Sequence, residues 1–208
     1  VAILAPVRLE NGRIDGAILS CHKVHRTIQL DPAVEDGELL SGNLAQRTFE
    51  NVHHRSPLMS RAVDQARLFS QSEGPILLAG PQGSEIRLIA QCIHNNGANC
   101  TGPFVQLNCA AIEPDEQMTT LFSTGYKNKD GEVDLGVFGM AENGTLMLQE
   151  IDKLSYTAQS NIYQAVRYHR IIQRNLERPI HVNIRLIATT EADLWAMACG
   201  GGFRTDLY

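Results

Sequence analysis

The stretch from Pro75 to Arg87, PILLAGPQGSEIR, decides the fold, because an apolar run leads into a glycine-containing turn and then into a helical pattern. The run PILLAG is typical of a short buried strand. The residues SEIRLIAQCIH repeat apolar side chains at helical spacing and therefore predict a helix. A strand, a turn and a helix in this order form the basic unit of an α/β domain.

The same alternation continues through the rest of the chain. Three more apolar runs, PFVQLNC, GTLMLQEI and VNIRLIATT, predict strands, and TAQSNIYQAVR at residues 157–167 predicts a helix. Ser56 and Pro57 are typical of the N-cap and first residue of an earlier helix. Its apolar positions are Met59, Val63, Ala66, Leu68 and Phe69. Buried strands that alternate with helices indicate an α/β fold with a parallel, doubly wound sheet.

The first 50 residues follow a different pattern. The runs VAILAPVRL and IDGAILSCHKV, joined by Glu10-Asn11-Gly12-Arg13, predict a β-hairpin within residues 1–24. Residues 25–50 carry Pro, Gly and several acids, which is typical of a linker. The chain lacks an initiating Met and ends within a pattern, so we expect it to be a piece of a longer protein.

Composition and charge argue against several classes of function. The 208 residues are 43% hydrophobic and have a net charge of −5, and no basic field suggests direct contact with DNA or RNA. No apolar run approaches the ~20 residues that cross a bilayer, so we expect no membrane partner. The five cysteines are scattered without metal-ligand spacing, which predicts no metal site and reduced thiols in a cytoplasmic protein. His53, His54 and His94 are expected to be polar residues at the surface.

The turn after PILLAG is the first candidate for a ligand site, because ligands of such sheets bind at the carboxyl ends of the strands. A phosphate-binding P-loop has the pattern GxxxxGK[ST], in which glycines admit the phosphates, Lys neutralises them and the hydroxyl holds Mg²⁺. Here Gly80 is present, but the second Gly, the Lys and the hydroxyl are replaced. The candidate contacts are Gly80, Gly83, Ser84, Glu85, Ile86 and Arg87.

The second candidate is the end of the strand GTLMLQEI. A strand that ends in two acids is the usual partner of a P-loop, because the first acid holds Mg²⁺ and the second orients the attacking water. In this chain the first position is Gln149 and the second is Glu150. Gln149 is a neutral and therefore weak metal ligand.

A longer series of motifs resembles one known family. The succession PLM, QARLF, ILLAG, LIAQCIH, FVQLNCAAI, LF, NGTLMLQEIDKLS, IRLIATTEADL and GGFRTDLY, over roughly residues 50–208, is similar to the AAA+ domain of bacterial enhancer-binding proteins, the sigma-54-dependent transcription activators. The hairpin and the QARLF segment resemble the propionate-regulator branch. The resemblance implies a three-layer P-loop AAA+ core at residues 51–208, without its lid. It also implies that residues 1–24 are the last strands of an upstream sensory, PAS-like domain.

The resemblance also assigns residues to sites. The Walker A motif falls on residues 80–87 and Walker B on residues 146–150, with Glu150 retained as a catalytic position. Glu191 stands where the family usually has Asn after the sensor strand. Arg204 matches an arginine finger that reaches the nucleotide of a neighbouring subunit. Glu150 and Arg204 can instead serve as structural ion pairs, and both interpretations remain open.

The largest departure from the family lies between Phe122 and Gly144. Members that remodel the polymerase carry a GAFTGA loop, which contacts the sigma factor. This chain has the shorter sequence STGYKNKDGEVDLGVFGMAEN, which predicts a polar, turn-rich hairpin. Its charged residues are Lys127, Lys129, Asp130, Glu132, Asp134 and Glu142. The resemblance implies contact with the sigma factor, but the loop motif that usually makes this contact is absent from this stretch.

The replaced residues predict that ATP and Mg²⁺, the cofactors that the family implies, bind weakly or not at all. At ~4 Å and an effective dielectric constant of ~20, each unit charge interaction is worth about 4 kcal/mol. Losing Lys at Ile86 and gaining a carboxylate at Glu85 therefore costs affinity by orders of magnitude. We also expect Glu85 to occupy a backbone conformation that suits Gly.

Three functions fit the sequence. The first is a transcriptional regulator that uses a degenerate AAA+ domain as a scaffold with little or no ATP hydrolysis. The second is a working ATPase that activates sigma-54 polymerase, and the third is a sensor for another nucleotide or small ligand. The replacements at Glu85, Ile86 and Gln149 favour the first over the second. The implied partners are further copies of the chain, RNA polymerase with its sigma factor, and DNA through a domain outside this chain.

Overall fold

The computed structural model describes residues 2–8, 14–21, 45, 47–52, 56–81, 84–123, 133–172 and 178–208. The predicted alternation of strands and helices is confirmed over residues 56–208 where they are described. The strands are β1 (Ala2–Arg8), β2 (Ile14–Cys21), β3 (Ile76–Ala79), β4 (Phe104–Asn108), β5 (Thr145–Gln149), β6 (Arg170–Ile171), β7 (Ile180–His181) and β8 (Arg185–Thr190). The helices are α1 (Pro57–Ser70), α2 (Ile86–Asn95), α3 (Gln117–Phe122), α4 (Gly136–Met140), α5 (Tyr156–Tyr168) and α6 (Leu194–Cys199). Short 3₁₀ helices lie at Phe49–Asn51, Cys109–Ala111 and Ile151–Lys153.

The main sheet has the strand order β1-β2-β3-β8-β5-β4, and every neighbouring pair from β2 to β4 is parallel. The predicted parallel sheet is thus confirmed. Because β3, β8 and β5 lie side by side, their carboxyl ends meet at one edge of the sheet. The turn after β3 and the acidic end of β5 therefore come together, as the sequence predicts.

Helices cover both faces of this sheet. On one face α1 and α2 pack with Phe104, Met147 and Ile187. On the other face α3, α4, α5 and α6 pack with alternate residues of the same strands, such as Val105 and Leu146. This alternation follows from the two-residue period of a strand, and it produces the predicted three-layer arrangement.

Helix α1 begins and ends with specific polar contacts. Ser56 is its N-cap, as predicted, and its Oγ accepts a hydrogen bond from the backbone N–H of Leu58 at 3.3 Å. At the other end, the guanidinium of Arg185 donates to the carbonyls of Ser70 and Phe69, at 2.8 Å each. A cation at this end of a helix also interacts favourably with its dipole.

The hairpin of residues 1–24 is confirmed as an antiparallel pair, in which Ile3 lies opposite Ser20. Its turn at residues 10–13 lies outside the described residues. In the structure β2 pairs in parallel with β3, so the hairpin extends the main sheet. Its origin in an upstream sensory domain stays a prediction. Of the proposed linker, residues 25–44 and 46 lie outside the described residues.

Leu68, an apolar position of α1, is 68% exposed, because residues 62, 63, 66 and 70 carry the buried face of the helix. Of the histidines expected at the surface, His53 and His54 lie outside the described residues. One local prediction was wrong. His94 is 2% exposed rather than at the surface, and its Nδ1 lies 2.8 Å from the Oγ1 of Thr145. The described part of the stretch between Phe122 and Gly144, residues 133–143, contains α4, whereas most of the predicted polar hairpin lies outside the described residues.

The reason for α4 is an aromatic contact within the core. Phe138 is fully buried and stacks on Phe122, with ring centroids 4.6 Å apart. Asp134 fixes the entry to the helix by accepting hydrogen bonds from the N–H of Gly136 at 2.9 Å and from the Oγ of Ser123 at 2.7 Å. Lys127, Lys129, Asp130 and Glu132 lie outside the described residues.

Among the described residues, no helix is both long and apolar enough to cross a membrane.

Candidate functional site

A cleft lies where β3, β5 and β8 end. It has a volume of about 140 Å³, which is smaller than the roughly 300–1,000 Å³ of most small-molecule sites. Its lining residues are Gly80, Pro81, Ser84, Ile86, Arg87, Met147, Gln149, Glu150, Thr189, Thr190 and Glu191. The structure therefore brings together the two candidate stretches that the sequence singled out, and Gly83 of that set lies outside the described residues.

The turn between β3 and α2 is held by its own backbone. The N–H of Gly80 donates to the carbonyl of Thr190 at 3.0 Å, which continues the contact between β3 and β8. Both the N–H and the hydroxyl of Ser84 donate to the carbonyl of Pro81, at 3.1 and 2.5 Å. The N–H of Ile86 donates to the carbonyl of Ser84 at 2.7 Å. In this arrangement the hydroxyl of Ser84 is engaged within the turn.

Glu85 does not adopt a conformation that requires Gly, so that expectation was wrong. Its φ is −73° and its ψ is 34°, which other residues can adopt. The hydrogen bonds of the turn bring the chain into α2 without a left-handed residue at this position. Glu85 is also exposed, so solvent screens its charge. Its repulsion of a bound anion is therefore weaker than the value of about 4 kcal/mol per charge pair used above.

The charges of the cleft are mostly negative. Glu85, Glu150 and Glu191 contribute three carboxylates, whereas Arg87 is the one Lys or Arg of residues 80–87. Glu85 adjoins the lining residues and the others belong to them. The first residue of α2 is the apolar Ile86. The backbone N–H groups at this end of a helix favour an anion, but the side chain of Ile86 adds no charge or hydrogen-bond donor.

Glu150 has an uncommon backbone conformation. Its φ is 52° and its ψ is 53°, the left-handed region that side chains other than Gly rarely adopt. Such conformations often mark functional sites, because surrounding contacts must hold them. The carbonyl of Glu150 accepts a hydrogen bond from the N–H of Lys153 at 2.9 Å, which starts the following 3₁₀ turn.

A second acid, Asp152, ties the ends of β5 and β8 together. Its carboxylate accepts a hydrogen bond from the Oγ1 of Thr190 at 2.7 Å and lies 3.2 Å from the Nζ of Lys153. Burial raises the pKa of the nearby Cys109 thiol to about 12, and the carboxylates of Asp152 and Glu150 contribute to this increase. The Cys109 thiol therefore stays protonated, and no thiolate chemistry is expected here.

Sequence reasoning missed several residues of the cleft and its rim, namely Pro81, Met147, Thr189, Thr190 and Asp152. Thr189 and Thr190 end the strand VNIRLIATT, so the rule that ligands bind at carboxyl ends of strands identifies them once that strand is placed beside β3. Pro81 lies within the predicted turn. Met147 was covered only by the Walker B range of residues 146–150, and Asp152 gave no signal, because an acid after a strand looks ordinary in the sequence.

Arg204 does not line this cleft. Its guanidinium forms a bidentate ion pair with Asp206, with N–O distances of 2.8 and 2.5 Å, and lies 5.1 Å from the ring centroid of Tyr156. The backbone N–H of Arg204 donates to the Oε1 of Gln159 at 2.9 Å. The hydrogen bond to Asp206 raises the pKa of Arg204, and the same pair lowers the pKa of Asp206. In this structure Arg204 therefore holds residues 204–206 against α5.

The described residues contain no group of three His, Cys, Asp or Glu side chains that could hold a metal ion.

Comparison with known proteins gives a consistent result. The family model described as the sigma-54 interaction domain matches residues 52–208. The transcriptional regulatory protein GlrR of Escherichia coli (strain K12) is 34% identical over 165 residues, which are 78% of this chain and 37% of that protein. The transcriptional activator RocR of Bacillus subtilis (strain 168) is 29% identical over 201 residues, covering 96% and 43%. The chain thus spans less than half of these curated relatives.

Among solved structures, NtrX from Brucella abortus has a similar fold. It is 27% identical, with a TM-score of 0.67 over 74% of this chain and 35% of that one. The same protein has been solved in complex with ATP, where the TM-score is 0.68 at 26% identity over 76% of this chain and 34% of that one.

Proposed function

This chain belongs to the sigma-54 interaction domain family, and from that premise we propose that it is the central domain of a bacterial transcription regulator that works as a scaffold. In this proposal the AAA+ fold supports assembly and regulation, and it hydrolyses little or no ATP. The single observation that carries the proposal is the composition of the cleft at the ends of β3, β5 and β8.

The cleft does not fit Mg·ATP. A triphosphate with its metal needs cationic and hydroxyl groups at the start of α2 and carboxylate ligands at the end of β5. The cleft instead offers Ile86 at the start of α2 and the neutral Gln149 at the end of β5, with Glu191 on its rim. Its small volume points in the same direction. Among the lining residues Arg87 alone carries a positive charge, and Gln149 stands where a carboxylate would hold the metal, so we derive no hydrolytic step for this chain.

The contacts of Arg204 support the same conclusion. An arginine finger must leave its own subunit's contacts to reach a neighbouring nucleotide, and here the guanidinium is engaged by Asp206 and Tyr156. We propose that Arg204 holds the segment after α6 against α5 and does not serve catalysis. Glu150 remains the candidate with the most unusual backbone, and its catalytic role stays a prediction.

The second candidate function is nucleotide binding by a compensated site. The observation in its favour is that NtrX, which has a similar fold, was solved with ATP. Arg87 lines the cleft and supplies one positive charge there. A site of this kind could serve a working ATPase or a sensor for another nucleotide or small ligand.

The partners follow from the family as proposals. We propose that the chain associates with further copies of itself and, in the longer protein, with RNA polymerase carrying sigma-54 in the cytoplasm. A domain outside this chain would bind the target DNA.

Restoring the family residues tests the scaffold proposal. The variant Glu85→Gly/Ile86→Lys/Gln149→Asp rebuilds the second glycine, the lysine and the first acid, so ADP should bind at least about tenfold more tightly than to the wild type. Isothermal titration calorimetry measures this change. A matched control, Glu73→Gly/Leu68→Lys/Gln71→Asp, makes the same change in charge at exposed positions near the end of α1.

The control variant should bind ADP as weakly as the wild type. Equal gains in both variants would show that overall charge, and not the cleft, governs binding. If the restored variant gained nothing, the placement of the phosphate site at residues 80–87 would be wrong.

A further inference from the structure

The strands β6 and β7 carry an excess of positive charge on an acidic chain. Residues 167–172 (RYHRII) and 178–183 (RPIHVN) contain three arginines, two neutral histidines and no Asp or Glu, and Glu177 directly precedes the second segment. The whole chain, by contrast, has a net charge of −5. The net charge of the whole chain therefore does not reveal this local basic surface. Residues 173–177, between these segments, lie outside the described residues.

The pairing of β6 with β7 directs this charge to solvent. Arg170 lies opposite His181 and Ile171 lies opposite Ile180 in the antiparallel pair. Ile171 is buried, whereas Arg170 and His181 are exposed, so one face of the pair packs on the core and the other meets solvent. Arg178, just before β7, is also exposed.

Aromatic rings lie beside the guanidinium. Arg170 is 4.9 Å from the ring centroid of Tyr168, which is half exposed. The rings of His169 and His181 stack with their centroids 6.1 Å apart and an interplanar angle of 23°. We call this surface the basic ridge, and it consists of Tyr168, His169, Arg170, Arg178 and His181.

One acid lies near the base of the two strands. The carboxylate of Glu142 accepts hydrogen bonds from the backbone N–H of Asn183, at 3.1 and 3.2 Å. Its carboxylate is therefore engaged by the backbone just beyond β7.

We propose that the basic ridge binds the phosphate backbone of duplex DNA. A guanidinium offers donors that match phosphate oxygens, and duplex DNA carries one negative charge per ~1.7 Å of its axis. An acidic polypeptide carries at most one charge per ~3.3 Å of an extended chain, so it matches a compact basic surface less well.

This contact differs from the DNA-binding domain expected outside the chain, and it does not involve the nucleotide cleft. Since Arg170 and Arg178 contact phosphates rather than bases, the interaction carries little sequence specificity. It would hold DNA against the scaffold once another domain has selected the site.

Fluorescence anisotropy with a labelled duplex of about 30 base pairs tests the proposal, using the 208-residue chain without nucleotide. Wild-type affinity should fall as salt rises, and the variant Arg170→Gln/Arg178→Gln should lower the slope of log K against log salt by about 1.8. At about 50 mM salt the same variant should bind at least about tenfold more weakly. The control Arg47→Gln/Arg61→Gln removes two charges from exposed positions elsewhere and should bind within about twofold of the wild type.

A second variant separates charge from folding. Arg170→Lys/Arg178→Lys keeps both charges and should retain most of the binding, and circular dichroism checks that each variant keeps its thermal midpoint. The proposal is overturned if the wild type fails to bind the duplex at about 50 mM salt, or if the ridge and control variants weaken binding equally. Competition by polyglutamate or by single-stranded DNA as effective as that by unlabelled duplex would overturn the assignment to duplex DNA.

Discussion

At the start of β8 a buried charged side chain donates two hydrogen bonds to the end of α1, whereas at the end of the same strand carboxylates line an open cleft. Arg185 is 3% exposed and holds the last carbonyls of α1. Glu191 is exposed and shares its cleft with Glu150 and Arg87. The first end maintains the packing of the layers. Under our proposal, the second end lacks the groups that a triphosphate and its metal require, so the fold would be kept without that ligand.

The buried end is stabilised by several mutually fitted groups. Burial lowers the pKa of Arg185 to about 10, so the guanidinium remains charged at neutral pH. Gly97 leaves room for it, since a Cβ at that position would lie 2.4 Å from the Nη1 of Arg185. These contacts involve no residue of the cleft, so we expect substitutions in the cleft to leave them intact.

The largest effect is expected from Arg185→Met. This change leaves the carbonyls of Phe69 and Ser70 without their donors, so the free energy of unfolding should fall by about 3 kcal/mol. Urea denaturation measures it. Arg61→Met, at an exposed position of α1, is the control and should change stability by less than about 0.5 kcal/mol. A loss below about 1 kcal/mol for Arg185→Met would show that the buried end does not depend on this contact.

The free energy of unfolding should depend on pH because His94 is buried near Arg185. Burial, and then the charge of Arg185, lower the pKa of His94 below its usual 6.5, so the folded state favours the neutral ring. The unfolded state binds more protons below about pH 6.5, and stability should therefore fall as the pH drops from about 7 to 5. Urea midpoints across this range should show a weaker slope in His94→Gln. An unchanged slope would assign the pH dependence to other groups.

The ion pair of Arg204 and Asp206 should contribute less. Its side chains are 22% and 39% exposed, so a double-mutant cycle with Arg204→Ala and Asp206→Ala should give a coupling of about 0.5–1 kcal/mol. The coupling should decrease in high salt. A coupling near zero would remove the reason to regard Arg204 as engaged within its own chain.

The smallest effect is expected at the open end. Glu191→Gln removes one exposed carboxylate and should change the free energy of unfolding by less than about 0.5 kcal/mol. Thermal denaturation of this variant beside Arg185→Met compares the two ends of β8 directly. A large loss of stability in Glu191→Gln would contradict the distinction between them.

The sequence predicted the fold well because its signals were strong and local. Apolar runs identified β3, β4, β5 and β8, and Ser56 with Pro57 marked the start of α1. It failed where tertiary contacts decided the outcome. The polar stretch before Gly144 hid α4, which forms because Phe138 packs on Phe122. His94 looked like a surface residue, since nothing local shows that Thr145 and Phe104 enclose it.

The sequence singled out stretches that meet in one cleft, but not their conformations, and ligand binding there stays a prediction. The P-loop pattern located residues 80–87, yet only the structure shows that Glu85 avoids a left-handed conformation and that Glu150 adopts one. The pairing of Arg204 with Asp206 depends on the turn after α6, which sequence spacing alone does not specify. Backbone conformation and side-chain partners are set by packing, and a single sequence reports them poorly.

Titration calorimetry of the wild-type chain with Mg·ATP, combined with a phosphate-release assay, tests the central claim most directly. If the cleft has lost its phosphate and metal partners, the titration should show no binding tighter than about millimolar, and no phosphate should be released. Micromolar binding with steady release of phosphate would contradict the account and establish a working ATPase.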